Sequence, residues 1–457
     1  MPYSFSRMAA RCGWCVAWCK RRCGKVESAS RFMLRAHSWC GCLRPTVRTC
    51  TVLASGNPRR KRPEQLCPAF RYAPAAPTRA PADQECAGHQ VREISMQPKL
   101  RWAFIALLLS LPLIGGGWAV SLSRADDPGP ARQSCKAVSP QTCELAHSLG
   151  RGINMGNMLE APREGDWGVK AEPRYVDLAA RHFRTVRVPV RWSNHAAPTA
   201  DATIDEAFAR RVDEVVDGLL RRNAYVILNM HHYMQLSGND LHRHEFKVDP
   251  AVVETRFLNM WRQIAARYKD RPNRLVFELL NEPNGKLDGE PWNELAAKAL
   301  AVVRQTNPDR AVIIGPGSWN NVKELPRLKL PKDPNLIVAI HTYEPFNFTH
   351  QGVEWRKPPL PAGIPCCDAR QRREMTETLE AARDWNRKHG VPLHLGEFGA
   401  YSKGDMRSRV NWARHMRDEA EKRGIGWTWW ELASDFSGVW NPETNSWVEP
   451  IRGALLD

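Results

Sequence analysis

Two glutamates occupy positions in the chain that suit acid and base chemistry. Glu282 lies in an Asn-Glu-Pro triplet and Glu397 in a Gly-Glu-Phe triplet, each at the end of a short apolar run. Two carboxyl groups with different neighbours can divide the cleavage of a glycosidic bond, one as acid and base and the other as nucleophile. That mechanism needs a separation of about 5–5.5 Å between them. The pair therefore predicts hydrolytic chemistry if the fold brings Glu282 and Glu397 together.

Further polar and aromatic side chains end other apolar runs of the chain. Amide and imidazole groups bind sugar hydroxyls, and tryptophan or tyrosine rings offer flat apolar faces for stacking. A binding site into which these side chains converged would suit a carbohydrate. The candidate residues are Asn157, Arg187, His231, His232, Asn281, His341, Tyr343, Trp430 and Glu431.

The apolar runs also predict the fold. Short continuous apolar segments are typical of parallel strands buried on both faces, and segments with a 3.6-residue period separate them here. Eight such units in residues 148–457 fit a closed (β/α)8 TIM barrel better than an open doubly wound sheet. Active sites of these barrels lie at the C-terminal ends of the strands. The predicted strands are 151–157, 185–192, 225–231, 274–281, 311–315, 336–343, 392–398 and 426–432.

Two local patterns refine this prediction. Pro326 and Pro331 interrupt the fifth crossover, which predicts a short or irregular helix there. In the eighth strand Trp427 and Trp429 share one face and Trp430 takes the other, so the alternation makes Trp430 the candidate that faces the mouth. No glycine-rich turn follows the first strand, which argues against a nucleotide-binding layout.

The order of these motifs resembles family 5 glycoside hydrolases, the cellulase family A group. The resemblance extends over about residues 148–457 and is closest to bacterial endoglucanases that act on β-1,4-glucans and often also on mannans. The matching segments are Gly-Ile-Asn-Met-Gly-Asn at 152–157, Glu-Gly-Asp-Trp-Gly at 164–168, Arg-Val-Pro at 187–189, Asn-Met-His-His-Tyr at 229–233, Leu-Asn-Glu-Pro at 280–283, His-Thr-Tyr at 341–343, Thr-His-Gln-Gly at 349–352 and Gly-Glu-Phe at 396–398.

The resemblance implies a retaining endo-β-1,4-glucanase without a metal or an organic cofactor. Glu282 would be the acid/base and Glu397 the nucleophile. Asn281 would bind the 2-hydroxyl of the sugar at the bond to be cleaved, and Arg187 would keep Glu397 ionised, since a nearby cation favours the charged form. An endo-β-1,4-mannanase or a mixed glucan and mannan hydrolase is the alternative within the class.

The resemblance also implies positioning groups. His341 and Tyr343 would orient Glu397, His231 would bind a hydroxyl, and Trp430 would form the floor under the same sugar. Outer substrate contacts would come from a further set. Its members are Asn157, Glu160, His232, Trp355 and Glu431.

Two other functions need weighing against this one. The histidines of 231–244, with Glu245, lack the spacing of a helical zinc motif, so we read His242 and His244 as loop residues and expect no metal. A carbohydrate-binding barrel that has lost catalysis is the alternative from another class, and the retained pair Glu282 and Glu397 argues against it.

The composition is uneven along the chain. The sequence has 457 residues, a formal charge of +17 and 13 cysteines, which as a whole would suggest a nucleic-acid or zinc partner. Residues 1–95 hold 17 basic residues against 5 acidic ones and 9 of the cysteines. Residues 126–457 hold 46 basic and 44 acidic residues, so this part is nearly neutral. We therefore expect a polysaccharide or oligosaccharide as partner, no nucleic acid, and a monomer.

The first 125 residues divide at Met96. From there Lys99 and Arg101 precede an apolar run over 102–114, and small residues stand before Asp126. These are the parts of a secretory signal, which predicts a secreted or periplasmic protein with a mature start near Asp126. The alternative is that 102–122 stays as a membrane anchor.

An export signal is read at the amino terminus, so we take Met96 as the initiator. Residues 1–95 sustain no helical or alternating period, and we expect them to be disordered and to arise from an over-extended gene prediction. Their cysteines at 12, 15, 19 and 23 lack a matching second pair, which argues against a zinc site. Residues 126–147 then form a lead-in to the catalytic barrel at 148–457.

Four cysteines remain in the predicted mature chain. In an oxidising compartment Cys135 and Cys143 could form a disulfide. Cys366 and Cys367 are adjacent, and neighbouring Cα atoms are about 3.8 Å apart, shorter than most disulfides allow. The sequence leaves the oxidation state of this second pair open.

Overall fold

The computed structural model of the protein describes residues 132–457. Eight parallel strands pair in sequence order, and the eighth pairs with the first to close a barrel. The predicted (β/α)8 barrel is confirmed. The strands are β1 (Arg151–Asn154), β2 (Thr185–Val188), β3 (Tyr225–Asn229), β4 (Leu275–Glu278), β5 (Val312–Ile314), β6 (Leu336–His341), β7 (Leu393–Glu397) and β8 (Gly426–Trp429), and a small hairpin follows, β9 (Trp440–Asn441) with β10 (Ser446–Trp447).

Helices surround the barrel and precede it. The longer ones are α1 (Pro140–Leu149), α2 (Pro173–His182), α3 (Glu206–Arg221), α4 (Val253–Arg267), α5 (Glu290–Arg304), α6 (Ala369–His389), α7 (Met406–Lys422) and α8 (Glu449–Leu456). Single turns lie at Trp192–His195, Met234–Ser237, Pro250–Val252, Gly285–Leu287, Gly317–Asn320, Val322–Arg327 and Phe346–Thr349. Within residues 132–457 no helix combines the length and the apolar character that a membrane crossing would need. The predicted N-terminal extension, signal segment and start of the lead-in lie outside the described residues.

Local sequence explains where these elements begin. The Asp205 side chain accepts a hydrogen bond from the backbone N–H of Phe208 at 2.7 Å, which caps the first turn of α3. Phe208, Val212 and Leu219 then bury one stripe of that helix against the barrel. All six residues of β6 are buried, as expected for a strand covered on both faces.

The strands end earlier than the apolar runs predict. For example, β2 ends at Val188 and β8 at Trp429, whereas the runs continue to 192 and 432. The chain stays buried beyond each ladder, so hydrophobicity alone cannot mark the last paired residue. The candidate site residues lie mostly in these continuations.

The fifth crossover departs from the regular pattern, as predicted. A short 3-10 turn, Val322–Arg327, stands where other units carry two to six turns of helix, and Pro326 lies inside it. Proline lacks the N–H that a continuing helix needs. On this side of the barrel the short turn packs against α6.

The lower end of the barrel has a separate apolar cluster. Leu149 and Ala146 of α1 pack there with Ile227, Ile313 and Ile337 from three strands. A disulfide joins Cys135 of the lead-in to Cys143 within α1, with Cα atoms 5.6 Å apart. A second disulfide joins the adjacent cysteines 366 and 367 before α6.

Candidate active site

A buried arginine organises the upper end of the barrel. Arg187 donates to Glu278 through Nε at 2.7 Å and Nη2 at 3.2 Å, and to Glu397 Oε1 through Nη1 at 2.8 Å. It also donates to the side-chain oxygens of Asn154, at 2.9 Å, and Asn281, at 2.7 Å. The two carboxylates keep the pKa of Arg187 above its ordinary value despite complete burial. One cation thus links four strands and their continuations.

Glu397 ends β7 beside His341, its partner in the β6–β7 ladder. Its Oε1 accepts from Arg187, and its Oε2 accepts from the Tyr343 hydroxyl at 3.0 Å. Burial raises the pKa of Glu397, with a further contribution from Glu282, while His341, Arg187 and Tyr343 act in the opposite direction. The predicted alignment by Arg187 is therefore present, but burial outweighs its effect on the pKa.

Gly396 makes room for this arrangement. A Cβ atom at position 396 would stand 2.7 Å from His341 Nε2, closer than side-chain carbons approach in practice. The glycine of the Gly-Glu-Phe triplet is thus required for His341 to lie against the strand that carries Glu397.

Glu282 lies beyond β4 in a left-handed backbone conformation, with φ of 48°. Such conformations are uncommon for residues other than glycine and concentrate at functional sites. Its side chain is 24% exposed and faces the cleft. The pKa of Glu282 is raised to about 7, chiefly by burial; the Arg187 charge acts to lower it and the Glu278 charge acts to raise it.

The two candidate catalytic carboxylates lie close together. One oxygen of Glu282 is within 4.8 Å of an oxygen of Glu397, and His341 stands between them. His341 Nδ1 is 2.8 Å from Glu282 Oε1 and 3.8 Å from Glu397 Oε2. The separation is close to that of paired carboxylates in retaining glycosidases and shorter than in inverting ones.

His341 is held as a neutral imidazole. Burial lowers the pKa of His341 to about 4, and the nearby Arg187 charge acts in the same direction. The Asn320 amide nitrogen lies 3.2 Å from Nε2, so Nε2 accepts and the ring proton sits on Nδ1. Nδ1–H therefore donates to Glu282 Oε1, which leaves the other oxygen of Glu282 free to carry an acidic proton.

One end of the cleft is aromatic and rich in histidine. The His231 ring stacks on Trp430 with centroids 5.3 Å apart and planes 16° from parallel. His232 packs edge-on against His231, and Trp167 and His242 complete the wall. Trp430 is half-buried and faces the cleft, as the alternation in its strand predicts, whereas Trp427 and Trp429 are fully buried.

The opposite end carries exposed aromatic rings. Trp319 is 57% exposed and Trp355 is 65% exposed, and both line the cleft with Phe346. Trp319 lies in the middle of three consecutive residues with positive φ, which turn its ring outward from the end of β5. The whole cleft has a volume of about 1570 Å³.

Two predicted outer contacts lie elsewhere than expected. Glu160 is fully buried, and its carboxylate accepts from the backbone N–H groups of Asn157 and Met158. Glu431 is also fully buried, with Oε1 accepting from Ser437 N at 3.2 Å. The expectation that these two side chains contact substrate directly is therefore wrong for this structure, because neither reaches the cleft surface.

Both carboxylates lie below the cleft surface and accept hydrogen bonds from backbone N–H groups there. Burial is the main cause that raises the pKa of Glu160 to about 8 and that of Glu431 to about 7; the Glu431 charge contributes to the first shift, and the Glu397 and Asp435 charges contribute to the second. Asn157 itself lines the cleft and donates from Nδ2 to Ser434 Oγ at 2.8 Å. Burial of an acidic side chain is a tertiary property that a local motif does not show.

Other predicted residues reach the site. His231, His232, Tyr343 and Trp355 line the cleft, and Asn281 is buried next to Glu282 with its amide oxygen held by Arg187. The carboxylate of Glu278 was missed in the sequence. The sequence does contain a sign of it, because a charged residue inside an apolar strand needs a buried partner of opposite charge.

Two groups in the described part of the chain bring possible metal ligands together. Ligand atoms of Glu282, His341 and Glu397 lie within 4.8 Å of one another, but they use these lone pairs and protons in mutual hydrogen bonds. The second group is Cys135, Cys143 and His147, where the disulfide removes both thiolates. The ligand atoms of the first group are thus engaged in hydrogen bonds, and the second group retains only the His147 nitrogens as possible ligands.

Comparisons with known proteins point to one family. The family model described as Cellulase (glycosyl hydrolase family 5) matches residues 151–435. Endoglucanase H of Acetivibrio thermocellus is 35% identical over 335 residues, which is 72% of this chain and 35% of that protein. The chain thus spans about a third of the length of that relative.

Solved structures agree with this similarity. A hyperthermophilic endo-β-1,4-glucanase in complex with substrate is 41% identical with a TM-score of 0.65, covering 68% of this chain and 98% of that one. Cel5A of Thermotoga maritima in complex with mannotriose is also 41% identical, with a TM-score of 0.64 and coverage of 68% and 99%.

Proposed function

Because this chain belongs to glycosyl hydrolase family 5, we propose that it is a retaining endo-β-1,4-glucanase. The observation that carries the proposal is the pair Glu282 and Glu397, with carboxylate oxygens within 4.8 Å across the cleft. The surroundings of Glu282 suit an acid/base, and those of Glu397 suit a nucleophile. Glu282 has its pKa raised to about 7 and can hold a proton near neutral pH, whereas Glu397 contacts a permanent cation, Arg187.

The reaction proceeds in two displacements. In the first, the protonated oxygen of Glu282 gives its proton to the leaving glycosidic oxygen while a Glu397 oxygen attacks the anomeric carbon. The leaving half of the glucan departs with its new hydroxyl group, and a glycosyl ester remains on Glu397. In the second, Glu282 takes a proton from water, which attacks the ester and releases the sugar with retained configuration.

Neighbouring groups stabilise the charge that develops. The Asn281 oxygen is held by Arg187, so its amide N–H groups are directed to a substrate hydroxyl and strengthen their hydrogen bond as the anomeric centre becomes positive. The Tyr343 hydroxyl and Arg187 hold the two oxygens of Glu397 separately, which fixes the direction of attack. Trp430 offers a ring face to the sugar at the bond to be cleaved.

Substitution of each glutamate tests the two roles. We expect Glu397→Ala to abolish turnover of every glycoside with the fold intact by circular dichroism. Glu282→Ala should lose about 10²–10⁴ in rate on β-glucan but much less on aryl β-cellobiosides, whose leaving groups need little protonation. Glu443→Ala, an exposed position away from the cleft, is the control. Equal losses of Glu282→Ala on both substrates would contradict the acid/base role.

A mannan-hydrolysing activity is the second candidate. The similar Cel5A structure contains mannotriose, so a related cleft accepts a β-mannoside. Rates of reducing-sugar release from carboxymethylcellulose, barley β-glucan, glucomannan and galactomannan would separate the two. Faster release from galactomannan than from β-glucan would favour the mannanase, and inactivity on all four would defeat both.

We also propose that the protein is exported. The support is the sequence from Met96 to Asp126, with its basic start, apolar run and small residues before the cleavage position. The protein would act outside the cytoplasm as a monomer, where intact polysaccharide is found. N-terminal sequencing of the exported protein should give a start near Asp126, and a start at or before Lys99 would contradict cleavage.

A further inference from the structure

A shift in strand register sets the direction of the Glu397 side chain. The β6–β7 ladder passes over Gly396 between its pairs at Leu395 and at Glu397. Because successive strand residues face opposite sides, this extra residue turns Glu397 to the face of His394 instead of that of Leu395. Such bulges occur next to active sites, where they re-aim a side chain. The direction of Glu397 therefore depends on how the peptide at Gly396 is held.

The carbonyl of Gly396, which belongs to the peptide joined to Glu397, is held by side chains from two other strands. Thr428 Oγ1 on β8 donates to it at 2.6 Å, and Asn154 Nδ2 on β1 donates at 3.0 Å. Asn154 also accepts from Arg187 and so belongs to the network already described. Thr428 is fully buried, so its hydroxyl can act on Glu397 only through this peptide.

A histidine inside the barrel holds the Thr428 hydroxyl in turn. His394 Nε2 lies 3.2 Å from Thr428 Oγ1. The hydroxyl has one proton, which it gives to the Gly396 carbonyl, so Nε2 must carry the ring proton and donate. Burial lowers the pKa of His394 to about 3, and the Arg187 charge acts in the same direction. The imidazole is therefore a neutral donor that orients the hydroxyl towards Gly396.

Stability alone does not account for a histidine at this position. His394 is 1% exposed, and its neighbour in the β6–β7 ladder is Ala339 of the lower apolar cluster. Its Nδ1 atom has no hydrogen-bond partner in the part of the chain that the structure describes. Burying an unpaired nitrogen costs free energy that an apolar side chain would not. What the histidine supplies is its bond to Thr428.

We propose that His394 and Thr428 are positioning residues that fix the direction in which Glu397 attacks. The proposal rests on the proposed function, because it concerns the nucleophile of the same site. Arg187 and Tyr343 hold the carboxylate oxygens of Glu397, while the two positioning residues hold its backbone. A displacement of a reacting group by about 1 Å can cost about 10²-fold in rate, so a contact that fixes one end of this side chain affects turnover.

Removing the Thr428 hydroxyl tests the proposal. Dinitrophenyl 2-deoxy-2-fluoro-β-cellobioside has a leaving group that needs no protonation, so the rate at which it is trapped as an ester measures attack by Glu397 alone. We expect Thr428→Ala to be trapped about tenfold more slowly, with half-saturation within about twofold of wild type. Thr428→Ser loses the same methyl group but keeps the hydroxyl, so its rate should fall less than about threefold. Intact-protein mass spectrometry follows the ester.

Thr185→Ala is the matched control for a merely structural effect. Thr185 is also fully buried on a barrel strand, and its hydroxyl donates to a backbone carbonyl, that of Leu149 at the lower end. This variant should lose stability but be trapped at the wild-type rate. If Thr428→Ala does not fold, His394→Gln and His394→Leu make the same comparison, since only the glutamine amide can replace the Nε2 donor.

The outcomes keep the two proposals apart. A wild-type protein that is neither trapped nor active on β-glucan would overturn the proposed function itself. With a wild type that is trapped, a wild-type rate in Thr428→Ala would overturn the positioning role alone. So would a rate in Thr428→Ser as low as that of Thr428→Ala, or equal rates in His394→Gln and His394→Leu.

Discussion

At the scale of single residues, environment separates two chemically identical carboxyl groups. Glu282 is desolvated and accepts a hydrogen bond from a neutral imidazole, His341, which does not stabilise its charge strongly. Glu397 instead contacts the Arg187 guanidinium and the Tyr343 hydroxyl. Glu397 thus has a cation at hydrogen-bond distance and, within the described part of the chain, Glu282 has none, which is the difference in surroundings that double displacement needs.

The raised pKa of Glu282 has a measurable consequence. A general acid works only while protonated, and the pKa of Glu282 is about 7, so kcat/KM on β-glucan should fall about tenfold per pH unit above that value. In Glu282→Gln the residual activity on an activated aryl cellobioside should lack this alkaline limb. Initial rates between pH 4 and 9 measure both. An alkaline limb that persists unchanged in Glu282→Gln would assign it to another group.

The meeting of Glu282 and Glu397 at one cleft could be predicted from sequence because their triplets and strand-end positions are local properties. Burial is not local. Glu160 and Glu431 stand close to the predicted strand ends and carry the right chemistry, yet the loops that follow β1 and β8 turn their carboxylates under the cleft. Glu278 was missed for the complementary reason, since its partner Arg187 lies on another strand.

At the scale of elements, strand register positions the site. The β1–β2 ladder pairs Asn154 with Arg187, and the β6–β7 ladder pairs His341 with Glu397. From these positions Arg187 also reaches Glu278 on β4. The strands therefore hold the site through side chains as well as through backbone bonds, and the site and the upper barrel are stabilised together.

Replacing Arg187 should show that the site and the upper barrel both depend on its hydrogen bonds. Arg187→Lys keeps the charge, but one ammonium group cannot reproduce the bonds to Glu278, Glu397, Asn154 and Asn281, and a buried carboxylate loses its partner. We expect a loss of about 3–5 kcal/mol in unfolding free energy together with a large loss of kcat. Urea denaturation followed by tryptophan fluorescence measures the first.

Two further variants serve as controls for the stability loss expected in Arg187→Lys. Arg267→Lys changes a partly exposed ion pair on α4 and should cost less than about 1 kcal/mol. Adding Glu278→Gln to Arg187→Lys should recover part of the stability, since the unpaired buried charge is removed. A double variant less stable than Arg187→Lys alone would mean that Glu278 finds another partner in the single variant.

Elements were more predictable than their ends. Eight apolar runs indicated the barrel, and the two prolines of the fifth crossover indicated its short turn. Both signals are local properties of the amino-acid sequence. The last paired residue of each strand could not be predicted, because backbone pairing ends where the adjacent strand ends. At β5 the ladder ends at Ile314, and Trp319 is turned outward by a backbone conformation that no residue type there requires.

At the scale of the whole molecule, the buried charges and a wholly apolar cluster occupy opposite ends of the barrel. The upper end holds the buried charges and the cleft, where polar groups are costly to bury and are retained for their contacts. The lower end is an apolar cluster in which residues of α1 pack against residues of the strands. Substitutions in the lower cluster should therefore lower stability without changing catalysis, whereas those at the upper end should affect both.

Leu149→Ala tests that separation. Leu149 is fully buried in the lower cluster against Ile227, Ile313 and Ile337, and its truncation leaves a cavity that rigid strands fill poorly. We expect a loss of about 2–5 kcal/mol in unfolding free energy with kcat and KM unchanged at a temperature where the variant is folded. Leu258→Ala, partly exposed on α4, should lose clearly less because fewer contacts are removed. If Leu149→Ala instead lowered kcat at full folding, packing at the lower end would be coupled to the geometry of Glu282 and Glu397, and the barrel would act as one unit rather than as a stable base carrying a separate site.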